Sequence, residues 1–429
     1  SEIKAELPTG ASLLYERALM QGFTPRASFS PGGSCHLLHC QDAILAVNLP
    51  RPSDWELVPA WLGPWLDNLT ITAGDWPALG HLCRGLAASD LLQQAHNLGL
   101  AVAIANELPP SSHPIHSECF RHQHKTTSHS RRNKPLVVDL SSLWAGPLCS
   151  FLLQQAGCRV IKVEGLNRHD GARNGSPDFY RLLNQGKESV VLDFKSENDV
   201  GRLKQLIARA DIVIEASRPR ALRNIGIHAE ELARSQPGLV WLSITGYGRH
   251  GVAGERIGYG DDAAAAAGLS RIMHEASGEH QIVGDAIADP LTGIHAALFA
   301  WQSYLAGGNE LISISLRNTV SFCLHQELNL SRENVLESCR QWHRLGNQLD
   351  QLFPAGPRIP ATDCAAPGQH SEPVFEELDL FARSLQQQHR PELLDGISQF
   401  FAGNARRARH GPEIGSRQTL HCSEQHQCQ

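Results

Sequence analysis

The sequence predicts an α/β protein built on a doubly wound parallel β-sheet, a Rossmann-like core, with a second, smaller α+β domain. Between residues 134 and 317, short β-branched runs alternate with helical patterns, as in parallel sheets with crossover helices. A separate hairpin pattern precedes this region. The 429 residues, 41% of them hydrophobic and 19% charged, are enough for two or three packed domains.

Residues 134–317 supply the elements of the predicted parallel sheet, with helices at 147–156 and 198–208 between apolar runs. The predicted strands are 136–140, 159–163, 189–192, 211–214, 239–243 and 311–316. Parallel α/β sheets bind ligands beyond the carboxyl ends of their strands. We therefore expect ligand contacts in four loops, 141–146, 164–173, 215–218 and 246–251.

The rest of the chain divides into three zones. Residues 1–108 predict a small α+β domain with an N-terminal helix, because an amphipathic pattern precedes a hairpin turned at Gln41 and Asp42. The polar, histidine-rich sequence of residues 109–133 predicts a linker. Histidines there could bind a metal, but the stretch lacks paired carboxylates or thiols; they are His113, His116, His122, His124 and His129. Residues 318–429 predict a helical region with a disordered tail.

Composition excludes several classes of partner. The net charge is −6 and no long basic run occurs, so nucleic acid is not expected as a partner. No apolar run reaches the roughly 18 to 20 residues of a membrane span. The N-terminal residues lack the apolar core of a signal peptide, which predicts a cytoplasmic location. The 11 cysteines form no CxxC pair, and neither a disulfide framework nor a metal site is expected.

Five strings between residues 137 and 259 resemble the class III CoA transferases, the family of formyl-CoA and carnitine CoA transferases and α-methylacyl-CoA racemase. They occur in the order that the family shows. The strings are VVDL with AGP at 137–147, QAGCRVIKVE at 155–164, LNQGKESVVLDFK at 183–195, ADIVIE with RPRAL at 210–222, and SITGYG with RIGY at 243–259.

The resemblance implies that Asp289 is the nucleophile of an acyl transfer. The pattern around it, Asp289 before Pro290 and an apolar run, is also typical of a helix N-cap. The two roles are compatible, because a helix N-terminus favours an ionised carboxylate. The family's reaction passes through an aspartyl anhydride and an aspartyl-CoA thioester. Gly32 and Gly33 resemble the family's glycine loop for oxyanions, or form an ordinary turn.

The resemblance also implies contacts with coenzyme A. Trp144 and Ala145 would lie in the first loop at the nucleotide. The other expected contacts are Leu192, Asp193, Phe194, Lys195, Ala216, Ser217, Arg218, Asn224, Arg256 and Tyr259. Asn224 stands where a relative has a phosphate-binding arginine. Arg220 or Arg223 could take the place of that arginine. Alternatively, both belong to a solvated, charged helix face. Gly165 replaces a basic residue.

Tyr259 bears on the choice between transferase and racemase. Racemases of the family place a histidine there to exchange the α-proton, whereas tyrosine, with an unperturbed pKa of about 10, is a poor base. The expected function is therefore transfer of CoA from an acyl-CoA to a carboxylic acid. The alternatives are an acyl-CoA racemase or epimerase, and a non-catalytic CoA-binding subunit. A dinucleotide-dependent oxidoreductase is not expected, because this sequence lacks the GxGxxG motif of that class.

The order of the zones differs from the family's usual chain. The stretch that resembles the family's smaller domain precedes the CoA-binding core, so either the order is permuted or residues 1–108 are the remnant of a duplicated copy. The resemblance implies a homodimer. It implies no permanently bound cofactor, since the CoA thioester is a substrate, and it does not identify the acyl group.

Overall fold

The structure, a computed structural model, describes residues 10–24, 27–66, 71–120, 134–345 and 356–387. The chain separates into two compact units, residues 1–378 and residues 379–429. The described strands lie in the first unit, and the described part of the second is the end of one helix. The predicted disordered tail lies mostly outside the described residues.

The strands of the described residues form two sheets. They are β1 (Cys35–His39), β2 (Ile44–Asn48), β3 (Ala101–Ile104), β4 (Ile115–Cys119), β5 (Leu136–Asp139), β6 (Arg159–Gly165), β7 (Glu188–Leu192), β8 (Ile212–Glu215), β9 (Val240–Thr245) and β10 (Glu310–Ser315). The larger sheet has seven strands in the order β4-β10-β9-β8-β5-β6-β7. All pairs in it are parallel except β4 with β10. The predicted α/β class is therefore confirmed.

The six parallel strands follow a doubly wound order. Counted along the chain from β5, their order across the sheet is 3-2-1-4-5-6, so the direction of winding reverses between β5 and β8. The loops after these two strands diverge at that point and leave a crevice at the carboxyl edge. The topology thus places the loops that begin at Leu140 and Ala216 on either side of a ligand crevice.

Helices connect and cover the sheets. They are α1 (Gly10–Gln21), α2 (Pro52–Leu62), α3 (Trp76–Cys83), α4 (Ala88–Leu98), α5 (Ala145–Gln155), α6 (Pro177–Asn184), α7 (Glu197–Arg209), α8 (Pro219–Arg223), α9 (Ala229–Ser235), α10 (Gly260–Ala266), α11 (Leu269–Ser277), α12 (Ala288–Ala306), α13 (Leu316–Leu345, kinked at Ser331) and α14 (Ser371–Gln387). Among the described residues, no helix combines the length and the apolar character needed to cross a bilayer.

The small antiparallel sheet, β1-β2-β3, is buried on both faces. Because successive side chains of a strand point to opposite faces, Leu45 and Val47 pack in a cluster with residues of α2, α3 and α4. Ile44 and Ala46 pack in a cluster with Ala265 of α10. This second contact joins the small sheet to the helix that begins beside Asp289.

One part of the predicted organisation differs from the structure. The stretch 109–133, expected to be a linker, contains β4, which pairs with β10 at the edge of the large sheet. Its residues are half-buried or exposed and mostly polar, so the apolar alternation that marks a strand is absent. Residues 121–133 lie outside the described part of the chain.

Candidate active site

Asp289 lies in the first turn of α12, one residue after the helix begins. Its backbone N–H donates to the Ala286 carbonyl at 2.9 Å. Ile287 occupies the N-cap position and makes no side-chain cap bond, so the N-cap interpretation of Asp289 was wrong. The backbone N–H of Ala145, at the start of α5, instead lies near the carboxylate and lowers its pKa. The structure therefore brings two of the expected site residues together.

Two aspartates of α10 accept hydrogen bonds from segments that surround Asp289. The Asp261 carboxylate accepts from the Ala286 N–H at 2.8 Å and so fixes the turn that precedes α12. The Asp262 carboxylate accepts from the Tyr247 hydroxyl at 2.7 Å and from the Asn48 amide at 3.0 Å. Both aspartates are buried. The small sheet thus reaches the site through the last residue of β2.

Arg17 of α1 places a positive charge among these carboxylates. Its Nε donates to Asp285 at 2.7 Å, and its other guanidinium donor contacts the second oxygen of the same carboxylate. The guanidinium also lies 4.5 Å from the centre of the Trp144 ring. Burial lowers the pKa of Arg17, but Asp285, Asp261 and Asp289 together outweigh this effect, so the pKa is raised. A bidentate, largely buried pair of this kind has a fixed geometry.

Burial raises the pKa values of the carboxyl groups in this cluster. Burial raises the pKa of Asp289 to about 7, and the charges of Asp262 and Asp285 add to the rise, while Arg17 and the N–H of Ala145 oppose it. The pKa of Asp261 is raised to about 7 and that of Asp262 to about 6, again chiefly by burial. The expectation that the helix terminus keeps Asp289 ionised was therefore wrong, because desolvation and like charges outweigh the dipole.

The loop between β5 and α5 is held in place by buried charges. Lys162 donates to the Ser141 carbonyl at 2.9 Å and pairs with Asp170 at 2.9 Å. Asp170 in turn accepts from the Leu143 N–H at 2.9 Å. Leu143 has a φ of 70°, a conformation that non-glycine residues seldom adopt without such support. This network fixes the backbone that presents the N–H of Ala145 to Asp289.

The connection from β9 to α10 brings Tyr259 and Gly260 to the site. A Cβ on Gly246 would lie 2.9 Å from the Cα of Gly258, so glycines let the two ends of this connection approach closely. The Tyr259 N–H donates to Asp262 at 2.9 Å. Burial raises the pKa of the Tyr259 phenol to about 12, so it is a neutral group near pH 7.

Gly260 provides a test of this close packing. A Cβ at Gly260 would lie 2.3 Å from Oδ2 of Asp289 and 2.4 Å from the Ala286 carbonyl oxygen. Gly260→Ala must therefore displace the Asp289 carboxylate, and we expect a loss of about 1–3 kcal/mol in the free energy of unfolding. We also expect at least a tenfold fall in any activity that depends on Asp289. Denaturant unfolding and steady-state kinetics measure both effects.

Gly201 supplies the matched control for this substitution. It lies inside α7, and a Cβ there meets nothing within 4 Å. Gly201→Ala should leave activity unchanged and stabilise the helix slightly, since alanine is the better helix former. Equal stability and activity in Gly260→Ala and the wild type would contradict the described position of Asp289.

Several arginines surround the crevice beyond Tyr259. Burial and the nearby charges of Arg220, Arg51 and Arg168 lower the pKa of Arg218. The charges of Arg51 and Arg168 also act on the Tyr259 phenol, so Tyr259 lies near the same two arginines as Arg218 does. Neither Arg51 nor Arg168 was among the expected residues. Arg168 follows β6 in one of the predicted ligand loops, whereas nothing in the sequence pointed to Arg51.

The segment after β7 lies beside this arginine cluster. The Leu166 N–H donates to the Leu192 carbonyl at 2.8 Å, and the ring of Phe194 would be 3.3 Å from a Cβ on Gly165. Asp193 accepts from the Lys195 N–H at 3.0 Å, which closes the turn. The predicted segment Leu192 to Lys195 and the loop that carries Arg168 therefore form one wall.

Other expected residues have different surroundings. Trp144 is only 2% exposed and packs against Phe179 at 4.9 Å, which argues against stacking on a nucleotide. Arg256 lies 3.7 Å from the centre of the Tyr247 ring and donates to the Val102 carbonyl, so it joins the small sheet to the core.

The structure places the remaining expected residues at the edge of the crevice. Ala216 and Ser217 follow β8 and lead to Arg218. Asn224 is exposed just after α8. Arg220 pairs with Glu255 and Arg223 with Glu230, as on a charged helix face. Their roles in phosphate binding stay predictions.

The glycine turn before β1 contains Gly32 and Gly33. The Gly33 N–H donates to the Ser30 carbonyl at 2.8 Å, and Gly33 has a φ of 75°. That N–H is therefore used within the turn. Pro31 contacts the same cavity as Ile287, which places the turn near the start of α12. A role of Gly32 and Gly33 in oxyanion binding stays a prediction.

The sequence of this chain is similar to a known protein family. The model of CoA-transferase family III matches residues 135–358, slightly more than half of the chain. Human succinyl-CoA:glutarate CoA-transferase is 32% identical over 206 residues, which cover 44% of this chain and 47% of the relative. Succinyl-CoA–D-citramalate CoA-transferase of Chloroflexus aurantiacus is 27% identical over 304 residues, 67% of this chain and 72% of the relative.

Among solved structures, a CaiB/BaiF family protein from Brucella suis is 31% identical, with a TM-score of 0.42 over 46% of this chain and 56% of that chain. The chain spans about half the length of the human and mouse relatives that it matches. Because the family model covers more than half of the sequence, including Ala145, Tyr259 and Asp289, this chain belongs to CoA-transferase family III.

Proposed function

We propose that the chain transfers CoA from an acyl-CoA thioester to a carboxylic acid, with Asp289 as the nucleophile. The observation that carries this proposal is the position of Asp289. Asp289 is half-buried, its carboxylate lies near the N–H of Ala145, and it packs against Gly260, whose neighbour Tyr259 lies near the arginine cluster.

The first half of the reaction consumes the donor. An oxygen of the ionised Asp289 attacks the thioester carbonyl, the C–S bond breaks, and the products are a mixed anhydride and CoA thiolate. The thiolate then attacks the Asp289 carbonyl carbon. This step releases the donor's carboxylate and leaves an aspartyl-CoA thioester on the protein.

The second half repeats these steps in reverse with the acceptor. The acceptor carboxylate attacks the aspartyl-CoA thioester and releases thiolate, which then attacks the acceptor's carbonyl and frees Asp289. Every step develops negative charge on an oxygen. The N–H of Ala145 lies near the carboxylate and would stabilise this charge, and we assign the neutral phenol of Tyr259, which precedes Gly260, as a second donor.

The arginine cluster suits the phosphates of CoA. Arg168 and Arg218 lie near the crevice where the sheet's winding reverses, and guanidinium groups bind phosphate oxygens through paired hydrogen bonds. We assign them to the CoA phosphates together with Lys195. The charge of Arg51 acts on Tyr259 more strongly than that of Arg168 does, so we assign Arg51 to the reacting acids rather than to the phosphates.

The acids named for the relatives suggest the acceptor class. Succinate, glutarate and citramalate are short dicarboxylates. A second carboxylate on the acceptor would need a cation, and we assign this contact to Arg51, which acts on Tyr259 and also pairs with Asp54 at 2.6 Å. We therefore propose short dicarboxylic acids as the first acceptors to assay.

The racemase alternative gains no support from the site. Racemisation needs a base that exchanges the α-proton, and the pKa of Tyr259 is raised to about 12, so it holds its proton near pH 7. A non-catalytic subunit would not need an accessible carboxylate beside the Ala145 N–H. Transfer of CoA thus explains the geometry best.

Covalent labelling tests the proposed function. The purified protein is incubated with a panel of acyl-CoAs, beginning with succinyl-CoA, and examined by intact-protein mass spectrometry. We expect an adduct of CoA or acyl mass that hydroxylamine removes and that borohydride reduction maps to Asp289. The donor with the largest adduct identifies the preferred acyl group.

Asp178→Asn is the matched control, because Asp178 is an exposed carboxylate on α6. It should label like the wild type, whereas Asp289→Asn should not label. CoA binding without any adduct, for every donor in the panel, would favour the non-catalytic alternative and contradict our assignment.

A further inference from the structure

Three side chains of types that can bind metal ions, two histidines and one glutamate, meet at the edge of the large sheet. They are His116 and Glu118 of β4 and His250, which follows β9. One ligand atom from each lies within 4.8 Å of the other two. Nε2 of His250 is 3.8 Å from Oε1 of Glu118, and the two imidazole rings are 5.4 Å apart and nearly perpendicular.

The sheet fixes two of these donors on the same face. His116 and Glu118 are two residues apart, so their side chains leave β4 in the same direction. The strand is held in register by β10, with His116 opposite Ser313 and Glu118 opposite Leu311. The third donor, His250, lies 132 residues after Glu118 in the sequence, which is why residue spacing did not reveal the group.

We propose that His116, Glu118 and His250 bind a divalent transition metal ion of the zinc class. Two imidazole nitrogens and one carboxylate oxygen are a ligand set that zinc accepts, with remaining positions open to water. Tetrahedral ligands about 2.1 Å from the metal lie about 3.4 Å apart. The ligand atoms now lie up to 4.8 Å apart, so they must move by about 1 Å to bind one ion. Side-chain rotation can supply this movement.

The proposed site would brace the connection to the active site. His250 lies on the segment between β9 and α10, the segment that also carries Tyr259. A metal bound to His250 and to β4 would tie this segment to the edge of the sheet. We therefore expect binding to slow amide hydrogen exchange in residues 246–259 as well as in β4.

Cobalt titration tests the proposal without any activity assay. The protein is treated with a chelator, dialysed and titrated with Co²⁺, whose visible d–d absorption reports coordination, and Zn²⁺ is then used to displace it. We expect one equivalent per chain and an affinity that falls at least tenfold in His116→Gln and in His250→Gln. Glu118→Gln should weaken binding to a smaller extent, because it retains an oxygen donor.

His113→Gln is the matched control, since His113 is an exposed histidine of the same stretch three residues before His116. It should bind as the wild type does, and circular dichroism verifies that each variant is folded. Equal affinity in all variants, a thiolate-to-cobalt band that marks cysteine ligands, or no saturable binding would each overturn the proposal.

Discussion

Asp289→Asn should abolish CoA transfer and at the same time stabilise the fold at neutral pH. Activity should fall by a factor on the order of 10³ or more, because the amide cannot form the anhydride. The pKa of Asp289 is raised to about 7, so the folded state binds this proton more tightly than the unfolded chain does. Wild-type stability therefore decreases as the pH rises from about 4 through 7, and the variant lacks this loss.

The size of the stability gain follows from the same linkage. A rise from 3.8 to about 7 corresponds to an upper limit of about 4 kcal/mol, but neighbouring carboxyl groups share the protons and the residue is only half-buried. We expect on the order of 1 kcal/mol at pH 8 and no difference at pH 4, measured by denaturant unfolding. A variant that is less stable than the wild type at pH 8 would contradict the described environment.

The wild-type pH profile offers an independent measurement of the same carboxyl group. The nucleophile must be ionised, so kcat/KM should rise with pH and level off above about 7. The profile reports a shared titration of the cluster, because Asp261 also has a pKa raised to about 7.

The parallel sheet could be predicted because its strands leave a strong local signal. Val137, Ile161 and Val213 belong to short runs that are buried on both faces, and such runs are apolar without alternation. β4 leaves no such signal. It lies at the sheet edge and carries His116, Ser117 and Glu118, and its pairing with β10 depends on residues almost 200 positions later.

The candidate site was only partly predictable for a related reason. Asp289 was found through motif resemblance, but its neighbours Arg17 and Asp285 are 268 residues apart in sequence and share no local pattern. The direction of the Asp289 pKa was also missed. A helix terminus can be recognised in sequence, whereas burial beside Asp262 appears only when distant segments pack.

Arg17→Gln should impair catalysis near neutral pH and shift its pH dependence. The guanidinium lowers the pKa of Asp289 and neutralises Asp285. Without it, two buried carboxylates face Asp289 unopposed, so its pKa should rise by at least about one unit. We expect kcat/KM at pH 7 to fall about tenfold and the rising limb of the profile to move to higher pH, with partial recovery above pH 8.

This shift separates an electrostatic role of Arg17 from a merely structural one. A loss of packing would lower kcat/KM at every pH without moving the profile. Arg17→Lys keeps the charge and should restore the pH dependence in part, although it loses the bidentate contact with Asp285. Arg340→Gln, on the exposed face of α13, is the control and should change neither quantity. Because α1 precedes the residues that the family model matches, a shifted profile would show that the N-terminal region sets the charge of the proposed nucleophile.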